Sequence, residues 1–394
     1  MFSQCIKHSN SISTLRSWGA ILTLTLATFI VVTTEMLPVG LLTPIANQFS
    51  ISIGLSGLLM TLPAVVAAIC SPLVILFTEQ IDRKKLLILG ALLLVVCNLL
   101  AAITSHFTLL LISRLFIGLC IGIIWAIAGG IAPRLVASAH VNLATSMIFG
   151  GVAAASVVGI PLGVFMGEWW DWRSAFFLMS ALSCILLLLM VVLLPSLPTV
   201  TPPSANAFIA QLKRPTILLG LAITLLLVSG HFMVFTYIRP LLVTNIHATG
   251  EQLSIMLFFY GIAGIFGNFI FGLTAGKKLN LSLFIIITII IACLFLLAIL
   301  PLTTLIGGLT IIAWGMAYGG VSVTLMTWMI THSLQHIEIT GSLYIAFFNA
   351  GIALGSALGS MVVFLYGLSA NLIIAVLLLT TALLALAIYH LKTH

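Results

Sequence analysis

The chain has 394 residues, of which 62% are hydrophobic and only 5% charged, and it carries a formal net charge of +7. Soluble domains hold about 25% charged residues, so an ordinary globular fold is excluded and an integral membrane protein is expected. The basic residues stand singly or in groups of two or three between apolar runs, which makes them topology signals and not a phosphate-binding face; nucleic acid is not an expected partner.

The first apolar run, Trp18 to Leu42, is long enough to cross a bilayer as a helix, at roughly 20 residues per crossing. Lys7 and Arg16 ahead of it superficially resemble a secretion signal. The run is too long for such a signal and contains Glu35, so it reads as a retained first span. Glu35 sits about two-thirds of the way along, beside Thr33, Thr34 and Pro38. A carboxylate at that depth costs about 2.5–3.5 kcal/mol on insertion scales, so such groups face a cavity or a partner. One reading is a proton-carrying residue; the other is a helix-end glutamate that reaches the headgroups or pairs structurally.

Twelve apolar runs follow one another at about 18–42, 53–77, 86–104, 107–132, 142–167, 174–195, 215–238, 252–274, 281–300, 303–327, 342–367 and 371–391. The longest polar interval, Pro195 to Pro215, carries five prolines and the pair Lys213-Arg214, as a linker does. The expected fold is therefore all-α and membrane-integral. Residues 1–195 form a six-helix half, 196–214 a cytoplasmic linker and 215–394 a second six-helix half. With the N-terminus inside, eleven basic residues (Lys7, Arg16, Arg83, Lys84, Lys85, Arg134, Lys213, Arg214, Lys277, Lys278, Lys392) fall on inner segments. Only Arg173 and Arg239 fall at outer ends, so both termini are expected in the cytoplasm. The halves echo each other: Gly151 and Gly159 match Gly351 and Gly359, and the basic turn at Asp82–Lys85 matches Gly276–Lys278. Parallel halves with a midplane site between them describe a major facilitator architecture.

Arg114 in the fourth run falls at a depth similar to Glu35, about 10 Å from the outer end of its span. The two are expected to pair, either as a protonation switch or as a static lock between helices. Trp125, His231, Tyr237, Tyr260, Trp314, Phe348 and Asn349 are candidate substrate-facing residues. Aromatic faces with a few polar groups suit a flat, partly polar organic solute. Packing or an interfacial position is the duller alternative for each, and His231 is either a packing histidine or a second titratable site. Trp169, Trp170 and Trp172 read as an interfacial belt. None of the six cysteines shows CxxC spacing, and no HExxH or complete P-loop occurs, so neither a metal nor another cofactor is expected. Gly54-Leu55-Ser56-Gly57 matches a short pattern found around intramembrane protease serines, but chance produces it easily in a glycine-rich chain.

Thr33 to Ala46, TTEMLPVGLLTPIA, resembles the first-helix signature of the drug:proton antiporter branch of the major facilitator superfamily. Leu110 to Gly122, LLISRLFIGLCIG, resembles the superfamily's fourth-helix motif around its arginine. Gly150 to Gly167, GGVAAASVVGIPLGVFMG, is similar to the antiporter motif of span five, and Trp172 to Phe177 to the start of span six. FTYIRP (Phe235 to Pro240) and the run around Trp125 look most like bacterial purine-ribonucleoside and sugar exporters. The resemblance implies proton-coupled efflux of a small organic solute across a bacterial inner membrane by a monomer, with Glu35 and Arg114 coupling protons. A proton-coupled importer or a passive facilitator of the same fold is the alternative. It also implies gating roles for Asp82 and Arg83, with Glu79 nearby, as a charge latch between the halves, and for Pro161; a plain topogenic basic loop is the alternative for Arg83, Lys84 and Lys85. Two departures are that Phe77 to Leu87 lacks the usual glycines and that Ile160-Pro161 replaces Gly-Pro.

Overall fold

The computed structural model of the chain describes residues 14–78, 81–128, 131–137, 140–198, 205–300, 303–333 and 337–393. Glu79, Lys7 and part of the linker lie outside the described residues. The helices are α1 (Thr14–Phe49), α2 (Ile53–Ser56), α3 (Leu58–Phe77), α4 (Arg83–Ile103), α5 (Phe107–Ala128) and α6 (Ala132–Leu135). Next come α7 (Val141–Ala154), a π-helical turn (Ala155–Gly159), α8 (Ile160–Trp169), α9 (Trp172–Leu193) and α10 (Ala205–Leu212). The remainder are α11 (Pro215–Phe235), α12 (Ile238–Ile246), α13 (Gly250–Ile299), α14 (Thr304–His332) and α15 (Ile337–Thr393).

Ten helical stretches among the described residues are long and apolar enough to cross a membrane. Two of them are double crossings. α13 breaks at Lys278 (φ −139°, ψ 60°), and α15 breaks at Gly367, whose φ of +84° favours glycine. The other eight cross once, which gives the twelve crossings expected from the sequence and returns both ends of the chain to one side. That side is called the terminal end below, and the opposite one the far end. Lipid-facing positions stay apolar, with Phe269, Leu273, Phe364 and Leu377 at least 60% exposed, because helices satisfy their own backbone and leave only side chains to meet hydrocarbon.

Burial divides into two cores. One runs from Ala20 to Leu197 and takes in Tyr237; the other runs from Ile217 to Leu386 and takes in Val39, Met60, Ala64 and Val164. Val39, Met60, Ala64 and Val164 lie toward the far-end parts of α1, α3 and α8, so the two halves are sealed together at that end. Met36 packs against both cores and marks the seam.

Backbone-to-backbone approach repeats in both halves. A Cβ on Gly151 would meet the Thr25 carbonyl oxygen at 2.2 Å, and one on Gly355 would meet the Ser229 carbonyl oxygen at 2.3 Å. A Cβ on Gly118 would meet the Pro63 oxygen at 2.4 Å, and one on Gly319 the Gly264 oxygen at 1.9 Å. Spans one and five, and two and four, thus pack as spans seven and eleven, and eight and ten, do. Lipid supplies no hydrophobic drive between helices, so this closeness is how they bind one another.

Gly319→Ala should accordingly force α13 and α14 apart and lower the melting temperature of the detergent-purified protein, at a cost of about 1–3 kcal/mol. Gly276→Ala, with nothing within 4 Å of the new methyl, should leave the melt unchanged or slightly raised. Equal effects of the two would remove close packing as the explanation.

Candidate functional site

Helix α1 contains Pro38 and Pro44. A proline has no N–H, so the carbonyl four residues earlier loses its helical donor. Pro38 releases the carbonyl of Thr34, and Arg114 Nη1 donates to it at 2.9 Å. Arg114 is 1% exposed, and its guanidinium lies 4.9 Å from the centre of the Phe176 ring. Asn98 Nδ2 donates to the Thr34 hydroxyl at 3.4 Å, so spans three, four and six all converge on this turn of span one.

Glu35 is the next residue, 5% exposed, and its Oε1 has no hydrogen-bond partner. The expected ion pair with Arg114 is not formed. The two charges interact, but Arg114 spends Nη1 on the Thr34 carbonyl, while Nε and Nη2 stay unpartnered. The proline-freed carbonyl competes successfully for the guanidinium.

Across the seam stands an aromatic cluster built on α11, α13 and α14. His231 stacks on Tyr318 with ring centroids 3.4 Å apart and planes 7° from parallel, and Phe235 covers its other side at 4.9 Å. Trp314 Nε1 donates to His231 Nδ1 at 3.1 Å. A ring nitrogen that accepts carries no proton, so the imidazole is neutral with its hydrogen on Nε2. That Nε2 has no partner, and neither do the hydroxyls of Tyr260 and Tyr318. Tyr260 stacks on Phe235 at 5.1 Å, and Tyr318 lies within electrostatic reach of Tyr260, Tyr344 and Glu35. Four buried polar groups without partners therefore gather about one place, one from the first half and three from the second.

Of the residues expected to face a substrate, His231, Tyr260 and Trp314 are brought together here. Phe348 sits nearby through Tyr344, their ring centroids 5.8 Å apart. Asn349 is buried and donates to the Ile345 carbonyl of its own helix at 2.9 Å. Trp125 packs half-buried against the first core. Tyr237 belongs elsewhere. It is fully buried at the far-end seam, where its hydroxyl donates to the Gly54 carbonyl at 3.3 Å, because the chain breaks between α11 and α12 and turns the ring toward α2. Tyr318 was missed, although it lies one helical turn beyond Trp314 on the same face.

The interfacial reading holds for Trp169 and Trp170, which are 71% and 66% exposed. It fails for Trp172, which is 3% exposed and packed against Phe49 and Phe176. Ser56 is buried and donates to the Ile53 carbonyl of its own helical turn at 2.7 Å. Pro161 is buried in the first turn of α8, directly after the π-helical turn.

Asp82 caps α4 by accepting from the Lys84 N–H at 2.8 Å, and it also accepts from the Leu197 N–H at 3.0 Å and from the Ser196 hydroxyl. Arg83 donates through its backbone to the Leu197 carbonyl at 3.0 Å and through its side chain to Thr78. Arg134 donates to the Pro198 carbonyl. These bonds staple the start of the linker to the first half; in this conformation they make no bridge to the second. Burial pushes the Asp82 carboxyl up, but the bonds from Ser196, Leu197 and Lys84 and the charge of Lys85 outweigh it and hold the group below its ordinary value.

A sequence profile of the Major Facilitator Superfamily matches residues 24–336. The crystal structure of a bacterial homologue of the human lysosomal transporter Spinster, inward-facing and occupied, aligns with a TM-score of 0.79 at 15% identity, over 96% of this chain and 97% of that one. The same transporter unoccupied gives 0.74 at 15% identity, over 96% and 98%. The human organic anion transporter MFSD10 (TETRAN) gives 0.66 at 17% identity, over 95% and 100%. At such identities the likeness is one of fold.

Because Asp82 titrates lower when folded than unfolded, the staple is fully present above about pH 3.9 and is lost as pH falls through its depressed native value. Asp82→Ala should break it at neutral pH. Hydrogen exchange at the Leu197 amide should then speed up by about tenfold, with the far-end helices unaffected. Unchanged exchange at Leu197 would mean that the bonds to Asp82 do not hold the linker.

Proposed function

The chain belongs to the Major Facilitator Superfamily, and on that premise we propose that it is a proton-coupled exporter of a small organic solute, working as a monomer by alternating access between residues 1–195 and 215–394. The observation that carries this reading is Glu35, a buried carboxyl with an unpartnered oxygen, one residue from the seam at Met36 and within electrostatic reach of Tyr318 in the second half. An acid so placed is reached from one side or the other as the halves rock, and it has no fixed partner to keep its proton from leaving. The distribution of Lys and Arg supports an orientation with both termini in the cytoplasm, and the resemblance to bacterial exporters supports a bacterial inner membrane. The far end then faces outward, and a far-end seal describes an inward-facing state.

In this cycle Glu35 takes a proton from outside and releases it inside. Arg114, held by the Thr34 carbonyl, keeps a positive charge beside the carboxyl without neutralising it by contact. The neutral His231 serves as a hydrogen-bond donor to the solute and not as a second proton carrier, since taking a proton on Nδ1 would break the bond from Trp314. Tyr260 and Tyr318 offer hydroxyls, and Phe348, Trp125 and Asn349 extend the surface. One charge moved through 100 mV is worth about 2.3 kcal/mol, and each pH unit adds about 1.4, enough for uphill export of about tenfold to a hundredfold.

Purified protein in liposomes under an imposed pH gradient tests the coupling. Glu35→Gln should abolish accumulation against a gradient while downhill exchange persists. If Glu35→Gln concentrates solute as well as the wild type, Glu35 does not couple, and the passive-facilitator reading replaces this one. His231→Gln, which keeps a donor, should retain more activity than His231→Leu, whose loss should appear in KM with little change in its pH profile. A shifted pH profile would instead make His231 a proton carrier.

A further inference from the structure

At the far end the second half supplies donors and the first half supplies main-chain acceptors. Arg239 Nη1 donates to the Gly40 carbonyl at 2.8 Å. The hydroxyls of Tyr237 and Ser360 converge on the Gly54 carbonyl. The fit at the tyrosine is close: a Cβ on Gly57 would lie 1.8 Å from the Tyr237 hydroxyl. Tyr237 and Arg239 stand at the start of α12, just after the break in span seven, and Asn371 Nδ2 donates at 2.7 Å to the Met233 carbonyl beside that break. One short hinged segment thus carries both contacts.

The Gly40 carbonyl is available for a specific reason. Pro44 stands four residues on and has no N–H to give it, just as Pro38 leaves the Thr34 carbonyl to Arg114. The two vacancies lie on one helix and each is filled by an arginine. Arg114 comes from the same half and stays with its acceptor as the halves move. Arg239 comes from the opposite half and must leave when the far end opens.

We infer that Arg239 is the gate residue of the far end, and that the Gly40 carbonyl released by Pro44 is its receptor. Closing the end buries this carbonyl in an apolar seam, where lacking a donor would be costly, so Arg239 makes closure favourable. Opening exchanges the bond for water on both partners. The inference rests on the alternating-access reading, but not on the direction of transport, on Glu35 or on the solute.

The test is conformational. Spin labels at Ser105 and Leu305, both exposed and near the far end in opposite halves, report the closed and open populations of the full-length purified protein. Arg239→Met should raise the open-to-closed ratio by about ten- to a hundredfold, as expected for a hydrogen bond to a charged group. Arg239→Lys, with a single ammonium, should shift it less, and carries the test if the methionine variant does not fold. Pro44→Ala returns an N–H to the Gly40 carbonyl, which then shares its acceptor. Its shift should be in the same direction and smaller. Combined with Arg239→Met it should add no further opening and should offset part of the methionine shift, because the restored N–H satisfies the carbonyl that closure buries. Unchanged distance distributions in the arginine variants, or fully additive shifts in the double variant, would overturn the gate. Failure of the transport reading would appear differently, as missing solute flux in liposomes with these population shifts intact.

Discussion

In hydrocarbon a backbone carbonyl without a donor has no water to turn to, and two prolines in one membrane helix create two such carbonyls. Much of the structure around α1 follows from how they are satisfied. The Thr34 vacancy draws Arg114 inward and holds it at 2.9 Å, which in turn places a cation near Glu35 without closing on it. The Gly40 vacancy meets Arg239 from across the seam at 2.8 Å. A helix that would otherwise be an inert span thereby gains one fixed and one exchangeable partner, at Thr34 and Gly40, somewhat under two turns apart.

The acid and the aromatic cluster share a second constraint. Each polar group that takes part is buried, and each keeps one valence unspent: Glu35 Oε1, His231 Nε2 and the hydroxyls of Tyr260 and Tyr318. Folded interiors ordinarily satisfy such atoms. Their proximity to one another, among rings stacked as closely as His231 and Tyr318, is what the proposed solute site rests on. The tight backbone contacts within each half, by contrast, leave nothing incomplete, so each half is suited to move as a body while the seam rearranges.

Much of this was legible in the sequence. Apolar runs of spanning length gave the twelve crossings, because bilayer thickness leaves little choice, and the glycines of spans five and eleven pointed to the repeat one turn out of register, since Gly151 answers to Gly355 and not to Gly351. Glu35 and Arg114 were found because charges at that depth are rare. What failed was geometry that depends on competition. Opposite charges at equal depth predicted an ion pair, yet the carbonyl freed by Pro38 took the guanidinium; the spacing of four from Thr34 to Pro38 was the available signal. Tyr237 looked like any aromatic of span seven, and only the break after Phe235 turns it into the seam. Trp172 shared its neighbours' composition but starts α9, where its ring folds inward over Phe49. In this conformation the bonds of Asp82 and Arg83 close on Leu197 and Ser196, short-range geometry that charge alone does not encode.

At the far end the acceptors, Gly40 and Gly54, belong to the main chain of the first half, whereas the donors are side chains of the second. A carbonyl cannot be removed by changing the residue that bears it. Heritable change can therefore retune the strength of this closure through Tyr237, Arg239 and Ser360 while the carbonyls opposite persist, so long as Pro44 leaves the one at Gly40 free. Such a junction divides labour in descent: one half keeps the lock plate, and the other is free to vary the bolt.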